Sequence, residues 1–317
     1  MHSLKLSIKF YPNNYEAVFK TFLVITLFFS AIAVQGQYSK RNISLKVKLG
    51  IKSGELIDSG DVLSADSLAT SFKGKGYDPV AIKLEKMRKK KLSPNEIYKR
   101  VSEATVVVSS AGRCGEINDN GVECKRIHTY PASGYIINSE GIIVTNYHVV
   151  NGYVTRYNKT SRDALVVMLK DGTIFSVKEV LIADKSNDLA VLKIDTKGAK
   201  LPSLPVATKD AEIGDPVYIV SHPKGFYYAF SSGMVTDKFS EIKASQFRNI
   251  MAISADYAAG SSGAAIIDQY GNVVGTVSYT KTLLHSDDPS KTQMVVRATI
   301  PSSSFLKIIK EGNKKEK

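Results

Sequence analysis

Cysteine is scarce in this chain, with two residues, Cys114 and Cys124, in 317. Two thiols fall short of a metal site, although His128 lies nearby. The nine residues between them, "GEINDNGVE", read as a turn carrying the hairpin signal Asn120-Gly121. In an exported chain that spacing permits a disulfide, which is the expectation here over two free thiols. Acidic residues are short too: 30 Asp and Glu against 43 Lys and Arg leave a formal charge of +13. The excess sits mainly in residues 37–103, with fifteen basic and eight acidic side chains, and peaks at "KMRKKK", residues 86–91. Such a cluster attracts anionic surfaces, but it lacks the interleaved aromatics of a nucleic-acid site, so nucleic acid is not an expected partner. Apolar content of 43% with 23% charged residues excludes a disordered chain.

Long hydrophobic runs are also missing. The most apolar stretch, "TFLVITLFFSAIAV", is well short of the ~20 residues that span a bilayer. Lys5, Lys9 and Lys20 precede it, and small and polar residues, "QGQYSK", follow. This is the pattern of a secretory signal peptide over residues 1–36, with Gln37 as the new N-terminus. An uncleaved anchor is the alternative. Cleavage would leave a periplasmic or secreted protein with no transmembrane segment.

Residues 37–92 have mixed character: "ISLKVKLGI" alternates as a strand would, and "SGELIDSGDVLSADS" is polar and turn-rich. They form a basic segment of unassigned structure, either a surface-adhering or regulatory piece or part of the main domain. At Ser93 a capping box opens, with Pro94 at the first helical position and Glu96 three residues after the serine, so a short helix is predicted. Beyond it, runs such as "ATVVVSS", "ASGYIIN", "DPVYIVSH" and "QMVVRATI" are short, rich in Val and Ile, and separated by Gly, Pro, Asn and Asp. That pattern predicts an all-β sandwich or a pair of barrels. "PSSSFLKIIKEGN" reads as a closing helix over about 301–312. No sustained internal repeat is visible.

"AGSSGAAIID", residues 259–268, sets Ser261 and Ser262 between two glycines. A serine hydroxyl is a weak nucleophile and needs a base, a group that orients the base, and donors for the oxyanion. Histidine is rare, at five residues. His2 lies in the leader, His128 follows the cysteine hairpin, His222 precedes a proline, and His285 sits in a polar stretch. His148 ends the apolar run "GIIVTNYHVV", where a rigid scaffold would present a functional side chain, or where a core histidine would sit. Asp188 stands immediately before the apolar "LAVLKI", a costly place for a carboxylate without a partner.

Three blocks together resemble the trypsin-like, chymotrypsin-fold serine proteases, in particular the bacterial branch related to DegP/HtrA. Residues 145–149 match T-N-x-H-V, residues 188–194 match D-[IL]-A-[LV]-L-K-I, and residues 260–263 match G-x-S-G. The order His, Asp, Ser is that of chymotrypsin. The resemblance covers residues 93–310 or so. It implies two packed six-stranded Greek-key β-barrels, at about 104–200 and 201–300, between a short N-terminal helix and a C-terminal one. The protease domain would run over 93–317, with no PDZ-like module after it. It also implies Ser262 as nucleophile, His148 as base and Asp188 as its orienting partner, with Ser261 in a variable position.

The resemblance further implies the backbone N–H groups of Gly260 and Ser262 as the oxyanion hole. Glycine suits position 260 because the chain must turn sharply there. Departures from the family pattern gather just upstream, in "ISADYAAGSSG", which is shorter than its DegP-like counterpart. Counting back from Ser262, Asp256 falls at the base of the primary specificity pocket of digestive trypsins. The preferred alternative is an Asp bonded to backbone in a shortened loop. The expected function is an exported serine endopeptidase acting on proteins or peptides, with no metal and no cofactor. The competing reading is an inactive homologue that binds peptides in the same cleft. Oligomeric state is not legible in the sequence.

Overall fold

The computed structural model describes residues 40–74, 80–155 and 163–311. The leader-like segment 1–36 lies outside the described residues. Two six-stranded antiparallel barrels dominate, as the strand pattern anticipates. The first comprises β2 (Thr105–Arg113), β3 (Ile127–Asn138), β4 (Ile142–Thr145), β5 (Ala164–Met168), β6 (Ile174–Asp184) and β7 (Leu189–Ile194). The second comprises β8 (Pro216–Ser221), β9 (Ala229–Lys243), β10 (Gln246–Ile253), β11 (Ala265–Ile267), β12 (Val273–Leu284) and β13 (Thr292–Pro301). The first closes in the order β2-β3-β4-β7-β6-β5 and the second in the order β8-β9-β10-β13-β12-β11. Counting strands within each barrel, the two orders are the same. The chain therefore carries a structural repeat that its residues do not display, because each barrel asks only for apolar residues facing inward.

β5 is buried along its whole length, with Val166 and Val167 at 0% exposure, and reads in sequence as a continuous apolar run. Val217, Ile219, Ile266 and Val277 form part of the second barrel's interior. The capping box at Ser93 is formed: the Glu96 N–H donates to Ser93 Oγ, and the Ser93 N–H donates to the Glu96 carboxylate at 2.8 Å. It opens α3 (Pro94–Ala104), which runs directly into β2.

Three local expectations change. "ISLKVKLGI" is not a strand: it lies in α1 (Arg41–Ser59). Its alternation also satisfies a helix, since Leu45 and Leu49 share one face and are buried while Ile43, Val47 and Ile51 share another and stay exposed. Packing of the Leu45 face into the core decides between the two periods. The strand expected to carry His148 ends at Thr145, and His148 lies in the first turn of a short helix, α4 (Tyr147–Val154). The closing helix, α5 (Ser302–Ile308), is shorter than its pattern, because Ile309–Glu311 forms β14, pairing in parallel with β1 (Val80–Ile82).

The described residues of this N-terminal segment, 40–74 and 80–92, thus include α2 (Ala65–Gly74), which follows α1, and β1. Leu45, Leu49, Leu68, Phe72 and Ile82 belong to the same buried cluster as Val106 and Ile136. Asp58 pairs with Arg113 and Asp61 with Lys178, both on first-barrel strands. Downstream the segment reaches the second barrel. The Arg88 N–H donates to Asn272 Oδ1 at 2.7 Å, Asn272 Nδ2 donates back to the Arg88 carbonyl at 3.0 Å, and the Leu92 N–H donates to the Gln269 carbonyl at 2.9 Å. Much of "KMRKKK" is a solvated face, with Lys86, Lys89, Lys90 and Lys91 exposed.

Candidate active site

The site grows from the end of β4. Buried Asn146 donates through Nδ2 to the Asp188 carbonyl at 2.9 Å, tying the start of α4 to the start of β7. Asp188 has φ of 55°, a left-handed conformation that Asp tolerates better than most residues but that still costs about 1 kcal/mol. That turn aims its carboxylate at His148. The His148 N–H donates to Oδ1 at 3.0 Å, and Nδ1 lies 3.0 Å from both carboxylate oxygens. A carboxylate only accepts, so Nδ1 carries the proton and the neutral ring keeps its lone pair on Nε2. The His148 side chain is 49% exposed and that of Asp188 only 13%, so the imidazole bridges a buried charge and the open surface.

A third group completes this series. Ser278, on β12, donates through Oγ to Asp188 Oδ2 at 2.6 Å, across from one barrel to the other. It sits where the register of β12 against β13 shifts, between Val277 and Tyr279. Burial pushes the Asp188 carboxyl up, but the hydrogen bonds and charge of His148, together with Ser278, outweigh it and hold the group below its ordinary value. Nothing local in "TVSYT" marks Ser278, so sequence reasoning missed it.

The 260–263 turn is held carbonyl by carbonyl. The Lys224 N–H donates to Ala259 O at 2.8 Å, Ser133 Oγ to Gly260 O at 2.8 Å, the Ala264 N–H to Ser261 O at 3.0 Å, and the Ser133 N–H to Ser262 O at 2.9 Å. In a trans peptide the N–H points opposite the preceding C=O. Anchoring the carbonyls of residues 259 and 261 therefore fixes the direction of the Gly260 and Ser262 N–H groups, and neither has an acceptor among the described residues. Gly260 has φ of 98°, and a Cβ there would lie 2.5 Å from the His222 carbonyl oxygen. At Gly263, φ is 86° and a Cβ would meet Ser133 O at 2.3 Å and Thr145 Oγ1 at 2.4 Å. The turn is thereby docked against the end of β4, three residues before His148.

The two serines differ. Ser261 is fully buried, with its Oγ 3.0 Å from Ser221 Oγ, whereas Ser262 is partly exposed. The Asp256 side chain is 80% exposed and forms an ion pair with Arg297. Its neighbour Tyr257 points inward, its hydroxyl 2.8 and 2.9 Å from the carbonyl oxygens of Tyr279 and Ala298. Cys114 and Cys124 lie side by side as free thiols. Their shared hydrogen bond pushes the Cys114 thiol up and the Cys124 thiol down. His222 is buried and accepts the Tyr228 N–H at its Nδ1, away from the Asp188 carboxylate. Among the described residues no cluster of three His, Cys, Asp or Glu side chains is placed to hold a metal.

Residues 132–275 match the family described as trypsin-like peptidase domain. Protease Do-like 5, chloroplastic, of Arabidopsis thaliana is 32% identical over 156 residues, covering 47% of this chain and 48% of that protein. A probable periplasmic serine endoprotease, DegP-like, of Brucella suis is 32% identical over 184 residues, covering 58% of this chain and 33% of its own. Serine endoprotease DegS of Escherichia coli K12 is 28% identical over 227 residues, covering 69% and 58%. The chain thus spans between a third and three fifths of the length of these relatives. A crystal structure of Deg5 superposes with a TM-score of 0.50 at 24% identity, covering 67% of this chain and 90% of that one, a likeness of fold. With two barrels of one topology and the matched blocks meeting at their junction, the chain has a chymotrypsin-like fold, matches a trypsin-like peptidase domain over residues 132–275, and is similar over part of its length to DegP-like and DegS serine endoproteases.

Proposed function

We propose that the chain is an exported serine endopeptidase that cleaves polypeptides through an acyl-enzyme intermediate. Ser262 is the nucleophile, His148 the base, and Asp188 the group that orients and counter-charges it. The observation that carries this reading is the bonded series Ser278, Asp188, His148 beside a turn whose two outward N–H groups lack acceptors among the described residues.

The chemistry follows from that arrangement. Ser262 Oγ adds to the carbonyl carbon of the scissile bond while its proton passes to His148 Nε2. The carbonyl oxygen gains negative charge and accepts from the N–H groups of Gly260 and Ser262, whose directions are set before substrate arrives. The imidazolium returns its proton to the leaving amine, and water then takes the same route to release the acyl group. Asp188 stays ionised throughout, consistent with a carboxyl held below its ordinary value.

On this reading residues 40–92 belong with the protease domain as bracing rather than as a separate adhering module. Export rests on the leader pattern of residues 1–36 and on the periplasmic designation of the DegP-like relative. No helix among the described residues is long and apolar enough to cross a membrane.

A fluorophosphonate probe tests the assignment. The native protein is expected to label at Ser262 and to degrade an unfolded polypeptide, and Ser262→Ala to do neither. An unlabelled native protein that still binds peptide would establish the inactive-homologue reading instead.

A further inference from the structure

Beside the imidazole lies a cavity of about 630 Å³, bounded by His148 and Asp188 from the first barrel and by Ser278 and Tyr279 from the second. Its walls carry six charged side chains besides His148: two acids and four bases. Both acids are already engaged. Asp188 is bonded to His148 and Ser278. Glu241 accepts from Arg248 Nε at 2.6 Å and from the Tyr279 hydroxyl at 2.7 Å, and the Arg248 side chain is only 4% exposed. The buried Arg248–Glu241 pair therefore cancels itself, and its guanidinium, 5.3 Å from the Tyr279 ring centroid, holds that ring as a rigid wall.

The three remaining bases are Lys185, Lys243 and Lys281. Each is exposed, and no side chain of the three makes a hydrogen bond or close ion pair among the described residues, although the Lys243 charge helps hold the Glu241 carboxyl down. Other lysines of this chain do find carboxylates, for example Lys170 with Glu103, Lys200 with Glu140 and Lys238 with Glu212. With Arg248 set against Glu241 and the ionised Asp188 set against one lysine, four bases and two acids leave this concave surface two charges positive, a focused positive potential where a substrate must pass. The adjoining strand gives an extended chain something to lie along. β12 pairs with β11 only as far as Thr276, Val277 bonds to Gly263 and Ala264, and beyond that β12 has β13 on one side alone. From Ser278 to Lys281 that open edge spans about 10 Å.

We infer that this cavity receives Asp or Glu side chains of an extended polypeptide, so that the site selects acidic segments next to the bond it presents to His148. The inference deepens the protease reading and rests on it for what happens to the bound chain, but binding can be measured without turnover.

The test uses full-length Ser262→Ala protein and two fluorescein-labelled decapeptides that differ only in two Glu replaced by two Gln. Fluorescence anisotropy is expected to show the Glu peptide binding about fivefold more tightly at low salt. The difference should vanish at 1 M salt, where the screening length is about 3 Å. It should also vanish when Lys185→Gln, Lys243→Gln and Lys281→Gln are combined. Equal binding of the two peptides overturns the inference, and so does a preference that survives the triple substitution. Fluorophosphonate labelling of the native protein reports separately on the protease reading. Labelling without a Glu preference sinks only the acidic selection; a Glu preference without labelling sinks only the nucleophile.

Discussion

Asp188 is the residue on which most of the site's order depends. Among the described residues it is the only acid bonded to His148, it adopts a left-handed backbone, and its carboxylate takes its third donor from the opposite barrel. Ser278→Ala isolates that last contact. Removing a donor to a buried charge costs about 2 kcal/mol, so urea unfolding at pH 7 should show a loss of that order. Because the folded Asp188 carboxyl lies below its ordinary value, the stabilisation it brings is present above about pH 4 and is lost as pH falls through the folded value. The deficit of Ser278→Ala should therefore shrink toward pH 3. A deficit that is the same at both pH values would assign Ser278 to packing rather than to the charge. His148 and Asp188 stood out as candidates from their own runs, a histidine after an apolar strand and an acid before one, whereas the choice of Ser262 over Ser261 came only with the resemblance to a known family. Ser278 and Ser133 did not stand out, because their roles depend on partners 90 and 127 residues away that no local pattern records.

The elements before the barrels brace this machinery. The Phe72 ring of α2 lies 4.8 Å from that of Tyr147, the residue before His148, and the Tyr153 hydroxyl of α4 donates to the Leu63 carbonyl at 3.1 Å. The short helix that presents the histidine is thus fixed from outside the barrel. Phe72→Ala removes most of a buried ring and should cost about 3 kcal/mol of stability, measured by chemical unfolding. If the loss is below 0.5 kcal/mol or so, the N-terminal helices are not part of the folded core. The misreading of α1 as a strand has a specific cause. Ile43, Leu45, Val47, Leu49 and Ile51 alternate, and an i, i+4 pair is also an i, i+2, i+4 series, so both periods fit until a surface to pack against is known. β14 was hidden for a similar reason, since its partner β1 lies more than two hundred residues upstream.

At the scale of the molecule, the two barrels share one buried cluster, with Val220 and Ile267 of the second beside Val106 and Ile136 of the first, and Gly263 marks a close approach between them. A methyl group there would overlap both Ser133 O and Thr145 Oγ1, and the left-handed φ adds strain of its own. Gly263→Ala should therefore push the serine turn away from β4. Peptidase activity is expected to fall by 100-fold or more, in line with the roughly 10²-fold cost of a 1 Å misplacement, while far-UV circular dichroism stays that of a β protein. Full activity in that variant would mean the docking is looser than the geometry states. The barrel pair was foreseeable from many short strands, whereas the shared strand order emerges only once the chain is closed on itself. That closure extends to the parallel pairing of β1 with β14. A load applied to the chain entering β1 and the chain leaving β14 pulls the two strands past each other along their length, not apart like a zip. Its hydrogen bonds must then yield together, so a fastener only three residues long on each strand acts as a mechanical clamp and shields both barrels from tension until it shears.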